Sequence, residues 1–144
     1  GGELGAQELA RIEPLLKAVP EAEHVLICLH HQPVAIGCEW LDEQQVADSD
    51  ALIDILGKEP RLRGIIWGHV HQAFSTEDDR LPGVQLLSAP STCIQFAPNS
   101  TGFKLDECAP GYRWLDLYAD GRIDSDISRL KNMNLHVDYS SQGY

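Results

Sequence analysis

Four of the six histidines fall in two tight groups, His30-His31 and His69-Val70-His71. Imidazole nitrogen suits zinc, iron, manganese and similar cations. Each group follows a short apolar run, Val25-Leu26-Ile27-Cys28-Leu29 before the first and Gly64-Ile65-Ile66-Trp67 (then Gly68) before the second. Such runs predict strands buried on both faces. Sites in parallel α/β sheets lie in the crevice outside the carboxyl ends of the strands, so histidines far apart in sequence meet in one pocket there. In an extended segment, residues i and i+2 share a face. His69 and His71 are therefore expected side by side, each able to serve one ion of a pair about 3.5–4 Å apart. Three neutral histidines would equally hold one zinc with an open position for water. Gly68 is expected to permit a tight reversal at the strand end. A solitary His-x-His is a weak motif, commonplace on surfaces. The preceding strands and the second histidine pair strengthen the metal reading. His24, ahead of its strand, and His136, near the end, read as ordinary surface histidines.

The elements that must position these side chains follow from periodicity and punctuation. Leu9, Ile12, Leu16 and Val19 recur at helical spacing, with Pro14 expected to kink that helix or mark its start. Residues 34–46 have no clean period and predict a surface loop. Ser49 to Leu56 predicts a helix, capped by Asp48 or Ser49 and ended by Gly57. Strand, helix, strand suggests a right-handed βαβ unit with parallel strands. Downstream the sequence is richer in strand, at Val84–Leu87 and Thr92–Phe96. Tyr112–Ala119 and Arg122–Ile127 flank Asp120-Gly121, a strong hairpin turn. Residues 131–144 are polar and aperiodic, and predict a loose tail.

Composition bounds the function. The chain has 144 residues, enough for one domain with a hydrophobic core. A formal charge of −11 argues against a nucleic-acid surface. So acidic a protein can bind phosphate locally if metal cations dominate the site's own field; the charge is equally explained by simple solubility. No run of about 18 apolar residues occurs, so no membrane span is expected. Cys28, Cys38, Cys93 and Cys108 form neither a zinc knuckle nor a dense disulfide framework. Cys28 reads as a small core residue, and a reducing, cytoplasmic setting is expected. The chain opens Gly1-Gly2-Glu3 with no initiator Met, and its one methionine is Met133. No signal peptide is expected there, and we expect the chain to begin inside a longer reading frame.

The ordered motifs carry a resemblance. His30-His31-Gln32-Pro33 after one strand and Gly68-His69-Val70-His71 after the next resemble the last two motifs of calcineurin-like metallophosphoesterases. Leu29 to Val34, Gly37-Cys38-Glu39-Trp40-Leu41-Asp42, Pro90 to Phe96 and Ala109-Pro110-Gly111-Tyr112-Arg113 are similar to the bacterial 3′,5′-cyclic AMP phosphodiesterase branch. The likeness runs over about residues 3–130. It implies an α/β fold: the C-terminal half of a metallophosphoesterase β-sandwich flanked by helices, with a βαβ unit followed by a strand-rich region. Residues 1–130 would form that half-domain. The resemblance further implies a dinuclear site of two divalent or mixed-valence ions (Fe, Mn or Zn). His30 and His69 would bind one ion and His71 the other, His30 being preferred to His31 because it directly follows the strand. His31 would then be a pocket or supporting residue.

The earlier motifs of that family, D-x-H, a G-D pair and G-N-H, do not occur in these 144 residues. The bridging carboxylate and the remaining ligands are therefore expected from a missing N-terminal half. In a complete enzyme the resemblance implies metal-assisted hydrolysis of 3′,5′-cyclic AMP to 5′-AMP. The cations would neutralise developing charge and lower the pKa of the attacking water. Trp40 would stack on the nucleobase, or serve as a half-buried loop anchor. Ser91, Thr92 and Cys93 lack the context of a catalytic triad and are expected in packing or turn roles. The isolated fragment is expected to be inactive and to form homo-oligomers through exposed sheet surface. Two alternatives stand beside this reading: another phosphodiester as substrate, or a non-catalytic metal-binding or interaction module.

Overall fold

A computed structural model of the chain describes residues 2–131, so the tail expected from 131 onward and His136 fall almost wholly outside the described residues. Helix α1 (Gly5–Ala18) runs through Pro14, which forgoes one helical hydrogen bond but does not mark the start. Strand β1 (Val25–Leu29) leads to the short helix α2 (Glu39–Asp42) and then α3 (Ser49–Leu56), which buries Leu52, Ile53 and Leu56. Strand β2 (Leu62–Trp67) completes the expected βαβ unit, parallel to β1. Strands β3 (Ser75–Thr76) and β4 (Gln85–Ser88) close a four-stranded sheet in the order β1-β2-β4-β3, with β4 parallel to β2 and β3 antiparallel to β4.

Two smaller pairs follow. β5 (Gln95–Phe96) pairs with β6 (Leu105–Asp106), and β7 (Gly111–Leu117) with β8 (Ile123–Arg129), both antiparallel. Only the last two residues of the strand expected over Thr92–Phe96 join a ladder. The Gln95 amide occupies the backbone of the preceding turn instead, accepting from Ser91 N–H at 3.1 Å and donating to Ser91 C=O at 2.7 Å. In the β7–β8 hairpin, Gly121 sits at φ +86°, and a Cβ there would come within 2.6 Å of Arg63 Nε. Glycine is required at that position by both conformation and space.

Three expectations are corrected. Residues 34–46 are not a surface loop. Val34, Ile36, Cys38, Leu41 and Val46 are buried in the core. Asp42 holds the segment by accepting from Ile36 and Gly37 N–H at 2.8 and 3.1 Å, and Val46 N–H donates to Gln32 C=O at 3.0 Å. Cys28 is exposed rather than core, because β1 lies at one edge of its sheet and is covered on one face only. Asp48 stands at the start of α3 but makes no side-chain cap there. Its carboxylate accepts from Leu4 and Gly5 N–H at 2.9 and 2.8 Å, at the start of α1. Those amides hold its pKa below the usual carboxylate range, against opposing burial. Among the described residues, no helix is long and apolar enough to cross a membrane.

Candidate metal centre

The strand register sets the site. Leu29 pairs with Trp67, and Trp67 with Ser88, so three parallel strands end at one level. His30 and His31 leave the sheet after Leu29, and Gly68-His69 after Trp67. His30, His31 and His69 each offer a ring nitrogen within 4.8 Å of the others. His31 and His69 have ring centroids 3.9 Å apart, and His30 stands 5.2 and 5.4 Å from them. The two sequence groups therefore do meet.

Their local geometry differs from the extended segment expected over His69–His71. His69 lies at φ +60° and His71 at φ +48°, and Gly68 is not in that region. Val70 N–H donates to Gly68 C=O at 2.6 Å, closing a three-residue turn centred on His69. Non-glycine residues at positive φ are uncommon and cluster at sites that over-determine them. Here Val70 is fully buried and anchors the turn. His71 falls outside the group formed by His30, His31 and His69. Its ring stacks on Phe96 at 4.3 Å, with planes 9° apart, and its carbonyl accepts from Phe96 N–H at 3.2 Å. Both histidines still line one cavity of about 330 Å³, together with His30, Trp40, Leu41, Gln44 and Phe96.

Two of the imidazoles, His69 and His71, are pushed toward the neutral form. Burial, then the neighbouring charges of His31, His30 and His71, pushes the pKa of His69 down to about 4. Burial also lowers His71, partly offset by the backbone at Ile94. Neutral rings are the form that ligates metal. His71 Nδ1 is buried with no hydrogen-bond partner, a state native proteins rarely leave unexplained. Three convergent ring nitrogens fit a metal centre. The three-residue cluster contains no carboxylate.

Two supporting residues surround it. Gln44, which no periodicity or motif singles out, contacts both His31 and His69. Trp40 is wedged edge-on between Phe96 and Phe103, at 5.1 and 5.4 Å, and its indole N–H donates to Ser100 Oγ at 3.2 Å. It is thus a loop anchor and a cavity wall at once. His24 behaves as expected, exposed and donating to Ala119 C=O at 3.2 Å.

Imidazoles gathered at the carboxyl rim of parallel strands, in a mixed sheet followed by strand-rich segments, are consistent with the C-terminal part of a metallophosphoesterase fold. No family model matches the chain. Among curated proteins, the 3′,5′-cyclic adenosine monophosphate phosphodiesterase CpdA of Pseudomonas aeruginosa is 44% identical over 143 residues, covering 97% of this chain and 51% of the relative. Proteins of the same name from Vibrio vulnificus and Escherichia coli K12 are 39% and 38% identical, covering 99% of this chain and 51% and 50% of the relatives. Over nearly its whole length the chain is homologous to bacterial proteins named 3′,5′-cyclic AMP phosphodiesterase CpdA. It spans about half the length of the curated relatives it matches, in keeping with the C-terminal-half reading of its motifs.

Proposed function

We propose that residues 1–130 form the C-terminal half of a dinuclear metal-dependent phosphodiesterase that hydrolyses 3′,5′-cyclic AMP to 5′-AMP. The observation that carries this reading is the convergence of His30, His31 and His69 at the ends of paired parallel strands. In it, His30 and His69 hold one ion and His71 the other, and the ions are Fe, Mn or Zn. Such ions polarise phosphoryl oxygens and lower the pKa of an attacking water. The chain's own part is to supply neutral imidazoles, exclude water with Phe96 and Leu41, and offer Trp40 as a flat wall for the nucleobase. Water adds to phosphorus, the bond to the 3′ oxygen breaks, and that oxygen leaves as a hydroxyl.

The bridging carboxylates come from the other half of the protein in this reading, so the 144-residue chain alone is inactive. Among the described residues, β1 is paired on one side only. Leu15, Tyr112, Trp114 and Leu117 are exposed. These features support docking of the missing half and self-association of the chain without it. The four free thiols support a reducing, cytoplasmic setting.

The test is hydrolysis by the full-length protein encoded by the reading frame that contains this chain. With Mn²⁺ or Zn²⁺ it should convert cyclic AMP to 5′-AMP, and His69→Ala should abolish turnover while His24→Ala should not. Enzyme-like hydrolysis by the 144-residue chain alone would overturn the half-site reading. Preference for a non-cyclic phosphodiester in a substrate panel would replace the substrate.

A further inference from the structure

Gln44 touches two imidazoles of the cluster through different atoms. Its main-chain carbonyl stands 2.9 Å from His31 Nδ1. Its side-chain Oε1 stands 3.1 Å from His69 Nε2. The other end of the same amide donates to the Trp40 carbonyl at 3.2 Å, which settles which end faces His69. The residue is itself fixed, because its N–H donates to Leu41 C=O at 2.8 Å in the turn that ends α2.

These contacts have one consistent proton assignment. A carbonyl oxygen only accepts, so both ring nitrogens facing Gln44 carry hydrogen. Neutral imidazole has one donor and one acceptor nitrogen. The lone pairs left free are therefore on His31 Nε2 and His69 Nδ1. Metal-ligating histidines have their ligating nitrogen chosen by the hydrogen bond made at the other one.

We propose that Gln44 is a positioning residue of the cluster, selecting the Nδ1–H tautomer of His31, the supporting residue, and the Nε2–H tautomer of His69, so that His69 Nδ1 is the nitrogen open to the cation it shares with His30. The proposal rests on the metal reading above. Its two contacts respond differently to substitution. Gln44→Met keeps the length of the side chain and removes the acceptor for His69, yet leaves the main-chain carbonyl that serves His31. Gln44→Glu keeps an acceptor oxygen for His69.

Long-range ¹⁵N–¹H correlation spectra of the histidine rings in the 144-residue chain, near neutral pH and without metal, read the tautomers directly. The wild type should show His31 as Nδ1–H and His69 as Nε2–H. Gln44→Met should shift His69 toward a tautomer mixture and leave His31 unchanged; Gln44→Glu should preserve both. Calorimetric titration with Zn²⁺ should show affinity falling about 10–100-fold in Gln44→Met and largely recovering in Gln44→Glu. A wild-type spectrum with His69 as Nδ1–H or His31 as Nε2–H overturns the proposal, and so does a Gln44→Met chain with an unchanged His69 tautomer. The wild-type spectrum decides even where the methionine variant fails to fold. Expected tautomers in the chain, with no Zn²⁺ bound by the full-length protein that contains it, would support Gln44's role in setting them and sink the metal reading instead.

Discussion

The imidazole of His71 lies flat on the ring of Phe96, with centroids 4.3 Å apart. Phe96 is 3% exposed and also packs edge-on against Trp40 and Phe103. It therefore supports both the second histidine of the turn and the aromatic wall of the cavity. Phe96→Ala is expected to destabilise the chain by about 3–5 kcal/mol, as large-to-small changes in packed aromatic sites do. Urea denaturation measures this as a lower midpoint with little change in slope. Phe96→Leu, which refills most of the volume, should cost markedly less.

Trp40 has two separable roles. Its indole N–H is anchored to Ser100, and its ring forms part of the cavity wall. Trp40→Phe keeps an aromatic face and loses the anchor; Trp40→Leu loses both. If the ring stacks on a nucleobase, worth about 1–3 kcal/mol, Trp40→Leu should raise KM of the full-length enzyme about tenfold or more, with kcat much less affected. Trp40→Phe should recover most of that KM while remaining less stable than wild type. Equal KM values for both variants and wild type would reduce Trp40 to a loop anchor.

Much of the architecture is legible in local sequence, for reasons that also explain the gaps. β1, β2 and α3 announce themselves because short apolar runs and helical spacing are local signals, and Asp120-Gly121 sets a turn by its own chemistry. Residues 34–46 hide their burial because Asp42 and Gln32 tie the segment together through backbone amides and carbonyls, which carry no periodic signature. The meeting of His30 with His69 was readable from the strand-end rule. The left-handed turn at His69 and His71 was not, since the glycine beside them suggests a different hinge and the conformation is imposed by burial of Val70. Gln44 was invisible for a plainer reason: half of its role is played by a main-chain carbonyl that any residue carries.

Glu59 and Arg61 give the fold an acid sensitivity. Arg61 donates to Glu59 Oε1 at 2.7 Å, and also to the carbonyls of Leu16 and Val19 at 2.7 Å, tying the end of α1 to the start of β2. The Arg61 hydrogen bond, against opposing burial, holds the Glu59 carboxyl down to about 2 from its ordinary 4.5. A carboxyl with a lowered folded-state pKa stabilises the fold fully above its unfolded pKa and loses that contribution as protons bind. Stability should therefore decline as pH falls from about 4.5 toward about 2. Urea midpoints at pH 7, 4.5 and 3 measure the decline. Glu59→Gln should be less stable at pH 7 and show a shallower loss over that window. Asp78, held down by Arg80, acts in the same direction and leaves part of the slope in the variant.

Arg113 joins the β7–β8 hairpin to the main sheet. From β7 its guanidinium donates to Ser88 C=O at 2.7 Å, to Phe74 C=O at 3.2 Å and to Ser125 Oγ across the hairpin at 3.0 Å. Burial lowers its pKa, with Asp126 opposing, and a guanidinium stays charged in proteins. The Phe74 carbonyl keeps a second donor in Ser88 N–H; the Ser88 carbonyl loses a charged donor if Arg113 is removed. Hydrogen bonds to charged groups contribute about 1.5–3 kcal/mol, so Arg113→Ala should destabilise the chain by that order. The loss should not be uniform. Amide exchange across residues 111–129 should accelerate well before exchange in β1 and β2, because the hairpin is the unit released. Arg113→Lys, with a single ammonium in place of a fork, should fall between the two. Uniform acceleration in every strand would mean that hairpin and sheet unfold only together, and that this guanidinium is not what latches one to the other.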